Sequence, residues 1–162
     1  MTNWPLEILI SGGQTGVDQA GLRAGRALGY ETGGTAPQHF LTEAGHQPEL
    51  LRPYGLVALP DGSYDQRTRC NVLDSHGTLL LGDLGGPGSF LTLRLCRTLH
   101  RPYRAIPRTS QVGSLVEERL MVHHWIIQRE IRKLNIAGPR ESKHPGVGLW
   151  AELVLMELLR KP

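Results

Sequence analysis

The stretch Ile8-Leu9-Ile10-Ser11-Gly12-Gly13-Gln14-Thr15-Gly16-Val17-Asp18 constrains the rest of the chain more than any other. A short apolar run ends in a glycine-rich turn, and an amphipathic segment follows at once. That order reads as strand, tight loop, helix. Three glycines let the backbone approach a ligand and turn its N–H groups inward. A helix starting near Val17 adds unpaired N–H donors and the positive end of its dipole. Such a corner favours phosphate or another anion, with a plain strand-to-helix turn as the bland alternative. No Lys followed by Ser or Thr closes the loop, so it is not the phosphate loop of ATPases, and its spacing is not GxGxxG.

Helical periodicity runs from Val17 to Leu28 and stops at Gly29. The apolar run Leu6 to Ile10 precedes it as a strand covered on both faces. A short strand is expected near Glu31 to Gly33. Gly34 to Pro53 reads as long and irregular, with Pro37, Gly45, Pro48 and Pro53, and loops of that length are usually functional. His39 and His46 read as surface residues, because no acidic or thiol partner lies at ligand spacing. Gly55 to Pro60 is extended, Ser63 to Ser75 helical, and Thr78 to Gly82 a buried strand. A second glycine-rich turn, Gly82 to Ser89, leads into a helix from Phe90 to His100 that buries Cys96. Pro102 to Ile106 is a strand. Ser114 to Leu134 reads as one helix opened by a capping box, Ser114 with Glu117. His123 and His124 are adjacent on it, point apart, and read as solvent or interface residues. Asn135 to Ala137 is a last short strand. Val147 to Arg160 is apolar nearly all round, which predicts burial on two sides, one of them a candidate subunit interface.

Strands alternating with helices predict an α/β chain: a Rossmann-like open parallel sheet of five or six strands, helices on both faces, one domain over residues 1–162. Ligands of such folds sit beyond the carboxyl ends of the strands, where the strand order switches. The loops Ser11–Gly16, Gly33–Gln38, Gly82–Ser89 and Gly138–Lys143 all follow strands and are expected to meet there. The 18 Lys and Arg exceed the 15 Asp and Glu by only three, and no basic run is present. That balance permits a small anionic ligand and does not call for nucleic acid. Cys70 and Cys96, the only cysteines, lack CxxC spacing, so neither a zinc site nor a redox motif is expected. The opening Met1-Thr2-Asn3-Trp4-Pro5 does not read as a signal peptide, and no apolar run is long enough to span a membrane. A cytoplasmic protein is expected.

Several stretches resemble the molybdenum carrier family, part of the Rossmann-like superfamily of the cytokinin-activating phosphoribohydrolases and DNA-processing protein A. They are Ile10 to Asp18, Gly33-Gly34-Thr35-Ala36-Pro37, Thr42-Glu43-x-Gly45, and Tyr64 with Arg67-Thr68 and Asn71-Val72. Asp74-Ser75-x-Gly77-Thr78 and Asn135-x-Ala137-Gly138-Pro139-Arg140-Glu141-Ser142 complete the set. The resemblance implies a homo-oligomeric carrier, dimer or tetramer, that binds molybdenum cofactor: a pterin with a dithiolene-bound metal and a terminal phosphate. It implies no metal held by the protein itself, and molybdoenzymes or cofactor-synthesis proteins as transfer partners. Gln38 stands where the family often has Lys, and Pro87 stiffens the second glycine loop, Gly85-Gly86-Pro87-Gly88-Ser89. The phosphoribohydrolase loop resembles P-G-G-x-G-T-x-x-E. Here Leu84 replaces its leading proline and Thr92 stands in place of its catalytic glutamate. Threonine cannot assist departure of a base by carboxylate chemistry, which favours binding over catalysis.

The expected ligand residues follow from these loops. Backbone N–H groups of Gly12, Gly13 and Gly16, with Gln14 and the Thr15 hydroxyl, would hold one anionic group; Gly85, Gly86, Gly88 and Ser89 would hold another. Thr35, Pro37 and Ser142 belong to the resembling loops. Arg67 and Arg140 would add bidentate contacts and Lys143 a point charge, although Arg67 fits a solvated helix face equally well. Asp18 reads as a helix-dipole partner or an acceptor for pterin amino groups. Thr68 and Asn71 share a helix face and would act together or cap a loop. Two other functions fit the same loops: a sensor of nucleotides or ADP-ribose derivatives, and a nucleotide N-glycosidase. The glycosidase would need a carboxylate from Asp18, Asp83 or Glu141.

Overall fold

The computed structural model describes residues 3–109 and 114–162; Met1 and Thr2 of the opening segment lie outside them. Strand β1 (Ile8–Ile10) pairs in parallel with β2 (Glu31–Ala36) on one side and with β8 (Lys133–Ala137) on the other. With β5 (Leu56–Ala58), β6 (Gly77–Leu81) and β7 (Tyr103–Ile106) they form a six-stranded sheet of order β5-β2-β1-β8-β6-β7. All its pairings are parallel. β6 is buried at every position, as a strand covered on both faces must be.

Helices α1 (Val17–Ala27), α5 (Val116–Gln128) and α6 (Val147–Leu158) pack together on one face, and α3 (Tyr64–Asp74) packs on α4 (Pro87–Thr98) on the other. A short α2 (Pro48–Leu51) completes the set. The larger core joins Leu9, Leu79, Leu81, Leu134 and Ile136 of the sheet to Val122, Ile126, Val154 and Leu155 of the helices. A smaller core gathers Leu22, Phe40, Leu51 and Leu56. The Tyr30 hydroxyl accepts from Trp4 Nε1 and donates to the Leu159 carbonyl, both at 2.7 Å, tying the two ends of the described chain to β2.

The fold matches the predicted class, and four local expectations are corrected. First, residues 34–53 are not irregular: β2 runs on to Ala36, a two-stranded antiparallel hairpin joins β3 (Leu41–Thr42) to β4 (Gly45–His46), and α2 follows. Second, the predicted helix 114–134 ends at Gln128. Glu130 takes the left-handed conformation (φ 50°), and the Ile131 N–H closes back on the Ile126 carbonyl. A glycine would have flagged such a stop; Glu130 does not. Leu134 therefore belongs to β8. Third, the N-cap of α5 is Leu115, without a side-chain cap. The capping box lies instead at Ser63 and Gln66, which open α3. Fourth, His123 is half-buried, 4.5 Å from the Trp4 ring, with Nε2 2.9 Å from the Leu158 carbonyl; only His124 is exposed.

Cys96 is buried as expected. α6 buries Val147, Ala151, Val154, Leu155 and Leu158 but leaves Leu149 and Leu153 exposed.

One backbone approach fixes how β2 lies beside the β1 loop. Gly34 has φ 129°, and a Cβ there would stand 2.0 Å from the Ser11 carbonyl oxygen. Gly34→Ala is expected to cost about 2–4 kcal/mol. Gly86→Ala, where a Cβ meets nothing within 4 Å, is expected to cost under about 1 kcal/mol. Urea unfolding midpoints of the two variants measure the difference.

Candidate functional site

The site lies where the strand order switches, between β1 and β6, with β8 inserted between them. Three loops converge there beyond the strand ends, and α3 closes one side. The cavity has a volume of about 300 Å³ and is lined by Gly12, Gln14, Asp18, Arg67, Thr68, Asn71, Gly86, Gly88, Ser89, Arg140 and Lys143 among the sequence-predicted residues. Pro87, Thr92, Asn135, Ile136, Ala137, Gly138, Pro139 and His144 also line it.

At its floor Arg67 Nη1 meets Asp18 Oδ2 at 2.8 Å, with the Asp18 side chain 5% exposed and that of Arg67 13%. Arg67 is therefore not a solvated helix residue. The pair exists because residue 12 has no side chain: a Cβ on Gly12 would fall 1.4 Å from Arg67 Nη1. Burial pushes the Asp18 carboxyl up, while Arg67, the Gln14 N–H and more distant Arg140 pull the other way. The Gln14 N–H donates to the same Oδ2 at 3.2 Å. Both the Arg67 and Arg140 guanidinium groups lie within 6 Å of the Tyr64 ring centroid, at 5.9 and 5.5 Å. Tyr64 thus brings two cations to one side of the cavity.

Several donors of the first glycine loop are already engaged within the protein. The Gly13 N–H points to Ser11 Oγ, that of Thr15 to Gln14 Oε1, and that of Val17 to the Pro139 carbonyl. Gly13 (φ 78°) turns the chain over Leu51 and Leu56, and Gly16 (φ 80°) lets the Pro139–Glu141 backbone pass. Neither lines the cavity. α1 carries the acid Asp18 in its first turn and spends its Val17 N–H on the Pro139 carbonyl, and at the N-terminus of α6 Glu141 accepts from the Gly146 and Gly148 N–H groups. α4 differs. Its N-cap is Gly86, no side chain caps it, and its first turn holds no acid. The first N–H groups of a helix have no partner within it, and Gly86, Gly88 and Ser89 at this end all face the cavity.

Five more predicted residues lie outside the lining. Thr35 is clasped through its backbone N–H and carbonyl by Asn71, at 2.8 and 2.9 Å. Asn71 therefore lines the cavity while fastening α3 to β2, and Thr68 donates to the Tyr64 carbonyl at 2.8 Å. Pro37 is buried at the end of β2. Gly85 belongs to a turn in which its N–H meets Asp83 Oδ1 at 2.8 Å. Thr15 and Ser142 both donate to Glu43 on the β3–β4 hairpin. Sequence reasoning named the loop Gly138–Lys143 beyond β8 but not the strand residues Asn135 to Ala137 that also line the cavity. The strand end just before that glycine-proline pair was the available signal.

Among the described residues, two buried donors of cavity-lining side chains have no hydrogen-bond partner: Gln14 Nε2 and Arg67 Nε. Gln14 Oε1 accepts from two backbone N–H groups, Thr15 and Glu43, so the side-chain amide is held with its NH2 group left over. Among the described residues, no three His, Cys, Asp or Glu side chains gather to hold a metal ion, and no helix is long and apolar enough to cross a membrane.

The profile of the circularly permutated YpsA SLOG family matches residues 9–159. The chain belongs to that family. It is also 33% identical to a protein from Syntrophus aciditrophicus SB whose crystal structure is named "Putative molybdenum carrier protein". The two superpose with a TM-score of 0.87 over 97% of this chain and 96% of the other. Among curated proteins, none matches the chain.

The buried pair makes a direct prediction. Arg67→Met leaves Asp18 buried without its cation, and unfolding measurements should show a loss of about 3–5 kcal/mol near neutral pH. A raised folded-state pKa means that the folded chain takes up a proton more readily than the unfolded chain. The penalty is therefore absent where both states are protonated. It grows as pH rises through the ordinary Asp range and levels off above the folded-state value. The loss in Arg67→Met should shrink markedly when the measurement is moved from pH 7 towards pH 4.

Proposed function

We propose that this chain binds molybdenum cofactor as cargo and carries it without chemical turnover. The observation that carries the reading is the cavity itself. It combines a helix N-terminus without a side-chain cap, the two cationic side chains Arg140 and Lys143 on the loop beyond β8, and two unpaired donors beside a buried carboxylate among the described residues. The α4 end, with Gly88 and Ser89, suits the terminal phosphate. Arg140 and Lys143 add charge-assisted contacts to the same kind of group. A pterin would lie against Gln14 and Arg67, which line the cavity. Asp18 Oδ1, which takes no hydrogen bond among the described residues, is an acceptor for its amino group.

Size supports the same choice. Small-molecule sites range from roughly 300 to 1,000 Å³, so a cavity of about 300 Å³ suits a monophosphorylated heterocycle better than ADP-ribose. The name given to the protein from Syntrophus aciditrophicus points the same way. Each carboxylate that the glycosidase reading would need already has a partner. Asp18 is paired with Arg67, Asp83 holds an exposed turn, and Glu141 caps α6. Thr92, in the glutamate position, lines the cavity with its hydroxyl donated to the Gly88 carbonyl at 3.1 Å. Cofactor-synthesis proteins and molybdoenzymes are the corresponding donors and acceptors of the cargo, in the cytoplasm.

Titration with anaerobically prepared molybdenum cofactor, with AMP and ADP-ribose as competitors, tests the proposal. Near-stoichiometric binding that nucleotides do not displace is expected. Gly88→Asp should weaken it at least about tenfold, because the new carboxylate caps α4 in place of phosphate. The fold has room for that side chain, since a Cβ there meets nothing within 4 Å. Tight nucleotide binding with no cofactor retained would overturn the carrier reading.

A further inference from the structure

Glu43 sits at the turn of the β3–β4 hairpin, outside the cavity lining, yet its carboxylate reaches across to two of the site's loops. Oε1 accepts from the Thr15 hydroxyl on the β1–α1 loop and from the Ser142 N–H at 3.0 Å; Oε2 accepts from the Ser142 hydroxyl. The Glu43 N–H is fixed in turn by Gln14 Oε1 at 2.9 Å. The Thr15 hydroxyl also accepts from the Glu141 N–H at 3.3 Å. Burial pushes the Glu43 carboxyl up, but the hydrogen bonds from Ser142 and Thr15, with Arg140 nearby, outweigh it and hold it below the ordinary Glu value.

Arg140, Ser142 and Lys143 belong to one short arm beyond β8. The arm's own backbone bonds, from the Lys143 and His144 N–H groups to the Arg140 carbonyl, only fold it on itself. Glu141 fastens it to the start of α6, and its hydrogen bonds to the β1–α1 loop and the hairpin run through Thr15 and Glu43. The hairpin is entered through His39 and Phe40, both left-handed at φ 56° without being glycine. Such a pair persists only where surrounding contacts over-determine it. Those contacts are present: the Gln47 N–H meets the Phe40 carbonyl at 3.0 Å, and Gln47 Oε1 accepts from Gln19 and Thr42. The hairpin is thus a braced strut with a carboxylate at its tip.

We infer that Glu43 is a positioning residue of the cavity: its carboxylate clamps the Arg140–Lys143 arm to the β1–α1 loop, and so sets where the two cations stand for an anionic ligand. The ligand half of this inference rests on the carrier reading; the clamp itself does not. A different role predicts the opposite sign. Were Glu43 merely a negative charge near Arg140, its removal would make the site more attractive to anions.

The test uses the full chain with Glu43→Gln, Ser142→Ala, Thr15→Val and the hydroxyl-retaining Thr15→Ser. Hydrogen exchange read by mass spectrometry is the ligand-free measurement. Exchange over residues 140–143 should quicken about tenfold or more in Glu43→Gln, with β6 and β8 unchanged. Cofactor titration should show affinity reduced about tenfold in Glu43→Gln and in Thr15→Val, and restored in Thr15→Ser. Glu43→Gln combined with Ser142→Ala should cost no more than the larger single effect. Unchanged exchange over 140–143 overturns the inference, and so does tighter binding in Glu43→Gln. If the wild-type chain retains no cofactor, the carrier reading fails on its own. The clamp is then judged on exchange and on titration with inorganic phosphate, for which the same order of affinities supports it and the reverse order overturns it.

Discussion

The buried pair of Asp18 and Arg67 governs the architecture around it. Two charges with 5% and 13% exposed side chains gain little net stability from each other, because desolvation offsets most of their attraction. Leaving either one alone is expensive, so the surroundings must comply with both. Residue 12 must be glycine for the guanidinium to lie over the β1 loop. α3 must be started at a fixed point, which the Ser63 capping box does, and tied to β2, which the Asn71 clasp on Thr35 does. The loop must then wrap so that the Gln14 N–H reaches the carboxylate.

That wrapping changes what the glycine loops mean. A glycine-rich turn before a helix advertises anion binding, but the advertisement holds only for N–H groups that remain free. Around this cavity three helix starts compete. α1 has the acid Asp18 in its first turn and gives its Val17 N–H to the Pro139 carbonyl, and α6 is capped by Glu141. α4 has no such internal acid. The first loop reads as the stronger motif in the sequence, yet the second presents the open helix end.

The sequence was most legible where local chemistry and packing agree. Gly29 stops α1 with φ 77°, and the strand–helix alternation led to the parallel sheet and to the loop that carries cavity-lining Arg140 and Lys143. It was least legible where distant partners decide. Glu130 ends α5 in a conformation that its side chain does not signal, so helix ran on in the reading into what is β8. The β3–β4 hairpin is two residues per strand, too short for alternation to show. Glu43 stood among the family-resembling residues, but nothing local tells that its carboxylate meets residues 28 positions before it and 99 after it. Thr15 and Ser142 carry the right hydroxyls in the right loops; only the hairpin explains why they turn away from the cavity.

The place of β8 has a consequence for how the chain comes to be built. The strand that joins β1 to β6 is the last of the sheet to be synthesised, residues 133–137, and it occupies the middle. Before it emerges from the ribosome, β5-β2-β1 and β6-β7 are two separate ribbons with no pairing between them, each offering a raw inner edge of unpaired backbone. β6, with three leucines among its five residues and due to be buried throughout, waits exposed. The sheet therefore closes by insertion, late and over long sequence separations, a slow kind of pairing that leaves apolar strand open to misassembly. The same insertion delivers the Arg140–Lys143 arm, so the cavity and the completed sheet come into being together.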